Sequence, residues 1–273
     1  MKKIGILLLG LFSAFSFSQN TRFVYQVSMK TDSTAAPKIE NAYLDISTEK
    51  SIFYGEKRMK RDSTIRQAME TRNFNFDRNS MEQFRTAITY SIEKNHATKT
   101  ISYKDRIARD QYWYDEDRTF NWKILPETVK IGEYETQKAE TTFAGRKWFA
   151  WFTQDLPFID GPYKFSGLPG LIVKVEDEKG DYSFDLKETK KIAELPNFES
   201  RFGNNIKVKR SEFLKQQEKF NKDPMSFFQN QGGGFAMRMG GNQNPQNEAE
   251  RRKMMEERLK EEAKANNNPL EKN

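Results

Sequence analysis

Two carboxylates, Asp155 and Asp160, bracket a short proline-rich loop in Asp155-Leu156-Pro157-Phe158-Ile159-Asp160-Gly161-Pro162. Two acids held beside a pocket can divide proton donation and nucleophilic attack in glycoside cleavage, so this pair is the candidate catalytic set of a carboxylate-dependent hydrolase. The same residues also suit a structural task, because Asp side chains accept backbone N–H bonds in proline-rich turns. His96 is the single histidine, in the polar run Glu93-Lys94-Asn95-His96-Ala97-Thr98-Lys99, which reads as a hairpin tip. A Ser-His-Asp hydrolase would have to use it, and a zinc site in a chain without cysteine would want more than one histidine. Both routes are therefore nearly closed. Glu176-Asp177-Glu178-Lys179-Gly180-Asp181 offers oxygen ligands without the spacing of a calcium loop, and it too reads as a hairpin tip. Met237 and Met239, with Met225 before them and Met254 and Met255 after, carry thioethers that suit Cu(I), although linker and packing roles serve them as well. No cofactor is expected.

The strongest apolar feature is Arg146-Lys147-Trp148-Phe149-Ala150-Trp151-Phe152-Thr153. At strand spacing Trp148, Ala150 and Phe152 face one way, and Phe149 and Trp151 face the other. A strand apolar on both faces lies between two layers, or in a curled sheet whose second face lines a cavity. Trp148, Phe149, Trp151 and the nearby Phe165 are therefore the candidate walls of an apolar, aromatic concavity for a hydrophobic ligand, a lipid or an envelope protein, the alternatives being the carboxylate-dependent hydrolase and a structural or scaffolding role without a ligand.

Downstream lies Gly167-Leu168-Pro169-Gly170-Leu171-Ile172. Pro169 fixes φ at the first corner of a turn, Gly170 supplies the positive φ of a type II second corner, and Leu168 is pushed toward extended geometry. Leu171, Val173 and Val175 then alternate with Ile172, Lys174 and Glu176, so the turn feeds a core strand. Gly145-Arg146, Trp151-Phe152, Leu156-Pro157, Gly161-Pro162-Tyr163-Lys164-Phe165 and the six-residue run together resemble the GLPGLI family of secreted Bacteroidota proteins, whose members are largely of unknown function. The resemblance is specific over roughly residues 129–190. The ending Asn267-Asn268-Pro269-Leu270-Glu271 is similar to the C-termini of that family. The resemblance carries over no catalytic residue.

Residues 1–18 combine Lys2 and Lys3, an apolar stretch from Ile4 to Phe17, and small residues at Ser16 and Ser18. This is the pattern of a secretory signal peptide cleaved near Ser18-Gln19, and it implies a periplasmic or secreted protein. The chain has no cysteine, hence neither a disulfide nor a lipid-bearing lipobox, so the expectation is not a lipoprotein. The formal charge is +7, from 46 basic and 39 acidic residues. The densest basic run, Lys57, Arg58, Lys60, Arg61, Arg66 and Arg72, is offset by Glu56, Asp62 and Glu70. A nucleic-acid surface would interleave such residues with exposed aromatics, and this run does not. No nucleic-acid partner is expected.

Around these features the chain reads as about eleven short strands at hairpin-like spacing, from Arg22-Phe23-Val24-Tyr25 to Tyr182–Leu186, with Lys57–Asn73 as helix or loop. The expected fold is mainly β: one strongly curved antiparallel sheet, a partial barrel or a sandwich, with C-terminal helices. Residues 19–228 form its domain, with a covering helix over 211–223 capped by Ser211. A Gly/Asn/Gln-rich linker over 229–246, a polar helix over 247–265 and a tail over 266–273 complete the chain.

Overall fold

The computed structural model describes residues 20–73, 83–198, 203–230 and 245–272. The expected leader (1–18), Met237 and Met239, and most of the expected linker lie outside the described residues. Where apolar residues alternate, the chain is strand: β1 (Asn20–Met29), β2 (Lys38–Ile46), β3 (Lys50–Gly55), β4 (Ser91–Asn95), β5 (Ile101–Ile107), β6 (Asp110–Asp115), β7 (Lys123–Ile131), β8 (Tyr134–Phe143), β9 (Arg146–Thr153), β10 (Leu171–Asp177), β11 (Tyr182–Ile192) and β12 (Asn205–Lys207). The segment without strand period is helix α1 (Glu56–Thr71). Helices α2 (Arg210–Lys222), α3 (Pro224–Asn230) and α4 (Pro245–Lys264) follow the strands. Lys209, not Ser211, caps α2. Pro224, which as a helix breaker ends α2, also opens α3, where its missing N–H costs nothing.

All the strands belong to one open sheet in the order β12-β6-β5-β4-β3-β2-β1-β11-β10-β9-β8-β7. The fold is mainly β, as the alternation implies. It is a mixed sheet, because β12 returns to run parallel to β6 through Asn205–Lys207. A three-residue strand of polar and half-buried residues carries no alternation that would announce it.

The sheet is strongly curved, and two neighbouring residues prove it. Lys164 packs over Tyr103 of β5 and Tyr114 of β6, while Phe165 packs on Phe143 of β8 and Trp148 of β9. In the sheet order β6 and β8 stand about nine strand spacings apart, which in a flat sheet would be roughly 43 Å. Adjacent residues reach both only if the sheet curls around them. Inside the curl, Phe23, Tyr25, Phe53, Trp148, Phe152, Phe165 and Phe184 form the main core. On the far end Phe213 of α2 packs on Tyr103 and Tyr114 and covers that part of the sheet.

Strand β9 is not apolar on two buried faces. Trp148, Ala150 and Phe152 point into the core, whereas Phe149 and Trp151 are half-buried on the outer face. There Lys138 and Lys147 lie over Phe149, and Lys138 and Lys174 lie over Trp151. Lysine stems and cation–π contacts therefore do what a second layer would have done.

The turn before β10 also differs in type. Gly170 donates its N–H to the carbonyl of Leu168 at 2.8 Å, an i to i+2 bond centred on Pro169, so the bend is a γ-turn rather than type II. Gly170 is required for space as well as for φ (+154°): a Cβ there would stand 2.0 Å from the carbonyl oxygen of Thr153. Gly180 (φ +69°) has open space around its missing Cβ. We expect Gly170→Ala to destabilise the protein by about 2–4 kcal/mol, and Gly180→Ala by about 1 kcal/mol. Urea unfolding of both variants checks this, and equal midpoints would refute the close approach at Thr153.

Candidate functional site

The residues between β9 and β10 fill the curl. Asp160 to Phe165 are six consecutive buried residues, although they form a loop and include two charges. A buried loop must find partners for its backbone groups. Part of the solution is local, since Asp160 accepts the N–H of Gly161 at 2.7 Å and Phe165 donates to the carbonyl of Pro162 at 3.1 Å. Ile172 donates its N–H to the Asp160 carbonyl at 2.9 Å, and Lys94 meets two further carbonyls, while the loop's own Lys164 needs partners of its own.

Lys94 of β4 uses all three ammonium protons on the loop, donating to Asp160 Oδ1 at 2.5 Å, to the Gly161 carbonyl at 2.5 Å and to the Phe165 carbonyl at 3.0 Å. Burial draws the Lys94 ammonium below the ordinary lysine range, opposed by the Asp160 charge. Burial works against the Asp160 charge too, but Lys94 and His96 outweigh it and hold the carboxyl below the usual carboxylate range. Lys164, from the loop itself, donates to Glu116 at 2.6 Å, to Glu271 at 2.6 Å and to the Tyr114 hydroxyl at 2.9 Å. Arg118 forks onto Glu116 at 2.7 and 2.9 Å and reaches Glu271 at 2.7 Å. Against the cost of burial, Arg118 and Lys164 pull Glu116 down to about 2 and hold Glu271 below its usual range.

The chain's final described residues belong to the same construction. Ala144 and Gly145 both take positive φ (50° and 71°) in the tight β8–β9 turn, and a Cβ on Gly145 would stand 2.8 Å from Cβ of Lys272. The turn thus leaves room for the tail. Arg146 donates to the Asn268 side chain at 2.6 Å, to the Pro269 carbonyl at 2.8 Å and to the Leu270 carbonyl at 3.1 Å. Its remaining bonds go to Asp177 at 2.6 Å and Asp181 at 3.2 Å. Two carboxylates of the suspected calcium hairpin are accordingly occupied by a guanidinium. Among the described residues no cluster of three or more His, Cys, Asp or Glu side chains is placed to hold a metal.

The structure brings His96 and Asp160 together, two residues that the sequence offers for separate reasons. The β4–β5 turn is organised by Asn95, whose side-chain oxygen accepts the N–H groups of Ala97 and Thr98 at 3.0 and 2.9 Å. It sets His96 Nε2 3.8 Å from Asp160 Oδ2, and His96 Nδ1 3.2 Å from the Thr48 carbonyl. The Asp160 carboxylate raises the imidazole above its ordinary range. Beside this group opens a pocket of about 340 Å³, lined by Ile46, Ser47, Thr48, His96, Lys99, Pro157, Phe158, Ile159 and Asp160. Ile159 stands 69% exposed at its rim.

The other candidates fall elsewhere. Asp155 is exposed, whereas Asp160 is buried and tied to Lys94 and the Gly161 amide, so the two carboxylates do not share an environment. Trp148 and Phe165 are fully buried and pack on each other with centroids 4.8 Å apart, filling the space they would have lined. Within the structural motif, Gly161 leaves room for Ile172, whose Cδ1 would lie 2.8 Å from a Cβ. Gly167 takes φ +93°. Pro162, Leu168, Leu171 and Ile172 are buried, while Pro169 is exposed. Sequence reasoning assigned no role to Lys94, Lys164, Glu116 or Glu271. A signal for one of them was present: a lysine enclosed by Tyr163 and Phe165 must be paired if the run is buried.

The molecule is thus an open curled-sheet protein filled by its own loop, with a small amphipathic pocket at the rim. The profile of a family described as "Protein of unknown function (Porph_ging)" matches residues 141–174, the stretch that holds Arg146, the filling loop and the γ-turn, in keeping with a Bacteroidota family. No curated protein matches the chain. Two solved structures of PNGF-II, in two space groups, are similar in fold. One is 18% identical with a TM-score of 0.51, covering 72% of this chain and 33% of that one. The other is 17% identical with a TM-score of 0.52, covering 72% and 32%. The chain spans about a third of the length of these structures. A LolA superfamily protein from Nitrosomonas europaea aligns at 10% identity over 66% of this chain and 88% of its own, with a TM-score of 0.27.

Replacing Lys164 removes the buried cation between Glu116 and Glu271 and leaves Arg118 to balance both carboxylates from the half-buried side. Lys164→Met should cost about 3–5 kcal/mol at neutral pH, read from the urea midpoint. Because Glu116 and Glu271 titrate below their unfolded values, their contribution is present above about pH 4.5 and is lost as pH falls toward 2. The wild-type midpoint should therefore drop steeply across that window, and the drop should shrink in Lys164→Met. A parallel pH dependence in the two proteins would refute the cluster's role.

Proposed function

We propose that this is an extracytoplasmic binding or assembly protein of the cell envelope, whose ligand engages the rim pocket at His96, Asp160 and Ile159. The carrying observation is the pocket itself: about 340 Å³ of space lined by the apolar Ile46, Pro157, Phe158 and Ile159 together with Ser47, Thr48, His96, Lys99 and Asp160. That volume lies at the small end of ligand sites, which combine apolar walls with placed polar groups. The interior of the curl is taken by Tyr163, Lys164 and Phe165, so the rim rather than the interior is the place for a hydrophobic ligand, a lipid or a segment of an envelope protein. Trp148 and Phe165 belong to the core and do not line the pocket. Phe149 and Trp151 belong to the outer face, where lysines cover them. The address rests on residues 1–18, read as a leader cleaved near Ser18-Gln19 and lacking a lipobox cysteine. No helix among the described residues is long and apolar enough to cross a membrane.

Native mass spectrometry of the protein purified from envelope fractions of its host tests the reading. We expect a co-purifying mass on the wild type that is lost from Ile159→Glu, whose thermal midpoint stays within about 1 °C because the side chain is exposed. An identical apo mass for both proteins would overturn a ligand at this pocket.

A further inference from the structure

We propose that the groove seating residues 267–272 is a peptide-recognition site that reads an Asn-Pro-apolar-Glu segment, and that the chain's own tail is the ligand filling it. The groove shares no residue with the rim pocket and rests on none of that reading.

Residues 267–272 join no strand of the sheet, yet their polar groups are bonded one after another. Asn268 donates its N–H to the Thr31 carbonyl at 2.8 Å, and its own carbonyl accepts the Tyr182 hydroxyl at 2.5 Å. Its side-chain amide is read at both ends: the nitrogen donates to the Lys30 carbonyl at 2.7 Å, and the oxygen accepts from Arg146 at 2.6 Å. Arg146 also takes the carbonyls of Pro269 and Leu270. The Leu270 side chain packs on the main core. Glu271 accepts from Lys164 at 2.6 Å, from Arg118 at 2.7 Å and from the Tyr163 hydroxyl at 2.5 Å. Lys272 closes the segment through its N–H to the Ala144 carbonyl at 2.8 Å. Pro269 is exposed and contributes stiffness, because a proline fixes its own φ and restricts the residue before it, leaving less freedom to lose on docking. Bonds to successive backbone groups, with selective places for an amide, an apolar side chain and an acid, are how short linear peptides are read.

The groove has counter-charges of its own. Arg146 is anchored by Asp177 at 2.6 Å and Asp181 at 3.2 Å, and Asp177 is fixed in turn by the N–H of Tyr182 at 2.9 Å. Lys164 and Arg118 both hold Glu116. Two cations around one acid leave a positive charge over, which Glu271 matches. Donors held in place by other groups are preorganised, so little affinity is spent on ordering them. The helix before the segment adds little: α4 is largely exposed over residues 253–264, and its ion pair from Glu262 to Arg85 at 3.2 Å is exposed on both sides. The tail, rather than α4, therefore holds this end of the chain. In trans the groove would accept such a segment from another polypeptide in exchange for the tail.

The test uses the full chain with a protease recognition sequence placed among residues 231–244, between α3 and α4. After cleavage only non-covalent contacts hold α4 and the tail. The probe is a fluorescein-labelled peptide of residues 265–273. We expect the cleaved protein to keep its circular dichroism spectrum, and an excess of the probe to replace the native piece saturably. Probes carrying Asn268→Ala or Glu271→Gln should bind roughly tenfold more weakly or worse. In the uncut chain the probe competes with a tethered tail and should bind about a hundredfold more weakly. If the altered probes bind as tightly as the unaltered one, or no probe enters the folded, cleaved protein, the recognition site fails. If cleavage alone unfolds the protein, the tail is part of the core rather than a ligand, and the assignment fails with it.

Discussion

Burying the Asp160–Phe165 loop is the constraint on which the rest of the structure depends. A loop without ladder partners, carrying an aspartate and a lysine, would be costly inside an apolar core unless each polar group found an acceptor or a donor. Lys94 meets the demand on one side, with three bonds to the loop. Glu116 and Glu271 meet it on the other, around Lys164. Those partners lie on β4, just after β6 and in the tail, so satisfying the loop pulls distant parts of the chain to one place. The sheet curls because its strands must reach these groups and the rings of Tyr163 and Phe165 between them.

Much of the strand pattern was legible because alternation is strong wherever one face is buried. The bounds read for β9 coincide with those found, and its inner face is an unbroken row of Trp148, Ala150 and Phe152; in β10 a bulge at Val173 breaks the expected alternation and turns Ile172 and Val175 toward the core. Legibility failed where a polar residue faces inward. Lys94 shares the inner face with Ile92 in β4, and a lysine in that row hides the strand's continuation to Asn95 from any apolar alternation. The parallel strand β12 was invisible for the same reason, having no buried apolar row. The turn at Pro169-Gly170 was expected from composition, but its type was decided by the approach of the Thr153 carbonyl, a tertiary contact no local pattern encodes.

The candidate site was legible only in pieces. His96 and Asp160 stand out singly, one as the sole histidine and the other as half of an acid pair, and nothing in sequence spacing relates a hairpin tip to a loop more than sixty residues on. The acid pair looked natural because Asp155 and Asp160 are neighbours in sequence, yet burial separates them more effectively than distance does. The aromatic residues of β9 illustrate the same limit. Periodicity divides Trp148 from Phe149 and Trp151 correctly, but lysines from neighbouring strands decide that the second face is finished by cation–π contacts.

The docked tail has one more consequence. Arg146 and Lys164 find acceptors in residues 122 and 107 positions further along the chain. Each cation also has a carboxylate outside the tail, Asp177 for Arg146 and Glu116 for Lys164, so the tail completes two clusters that the rest of the chain has begun. Residues 268–271 are thereby pinned to the sheet by two ion clusters, the task that a cysteine bridge performs elsewhere.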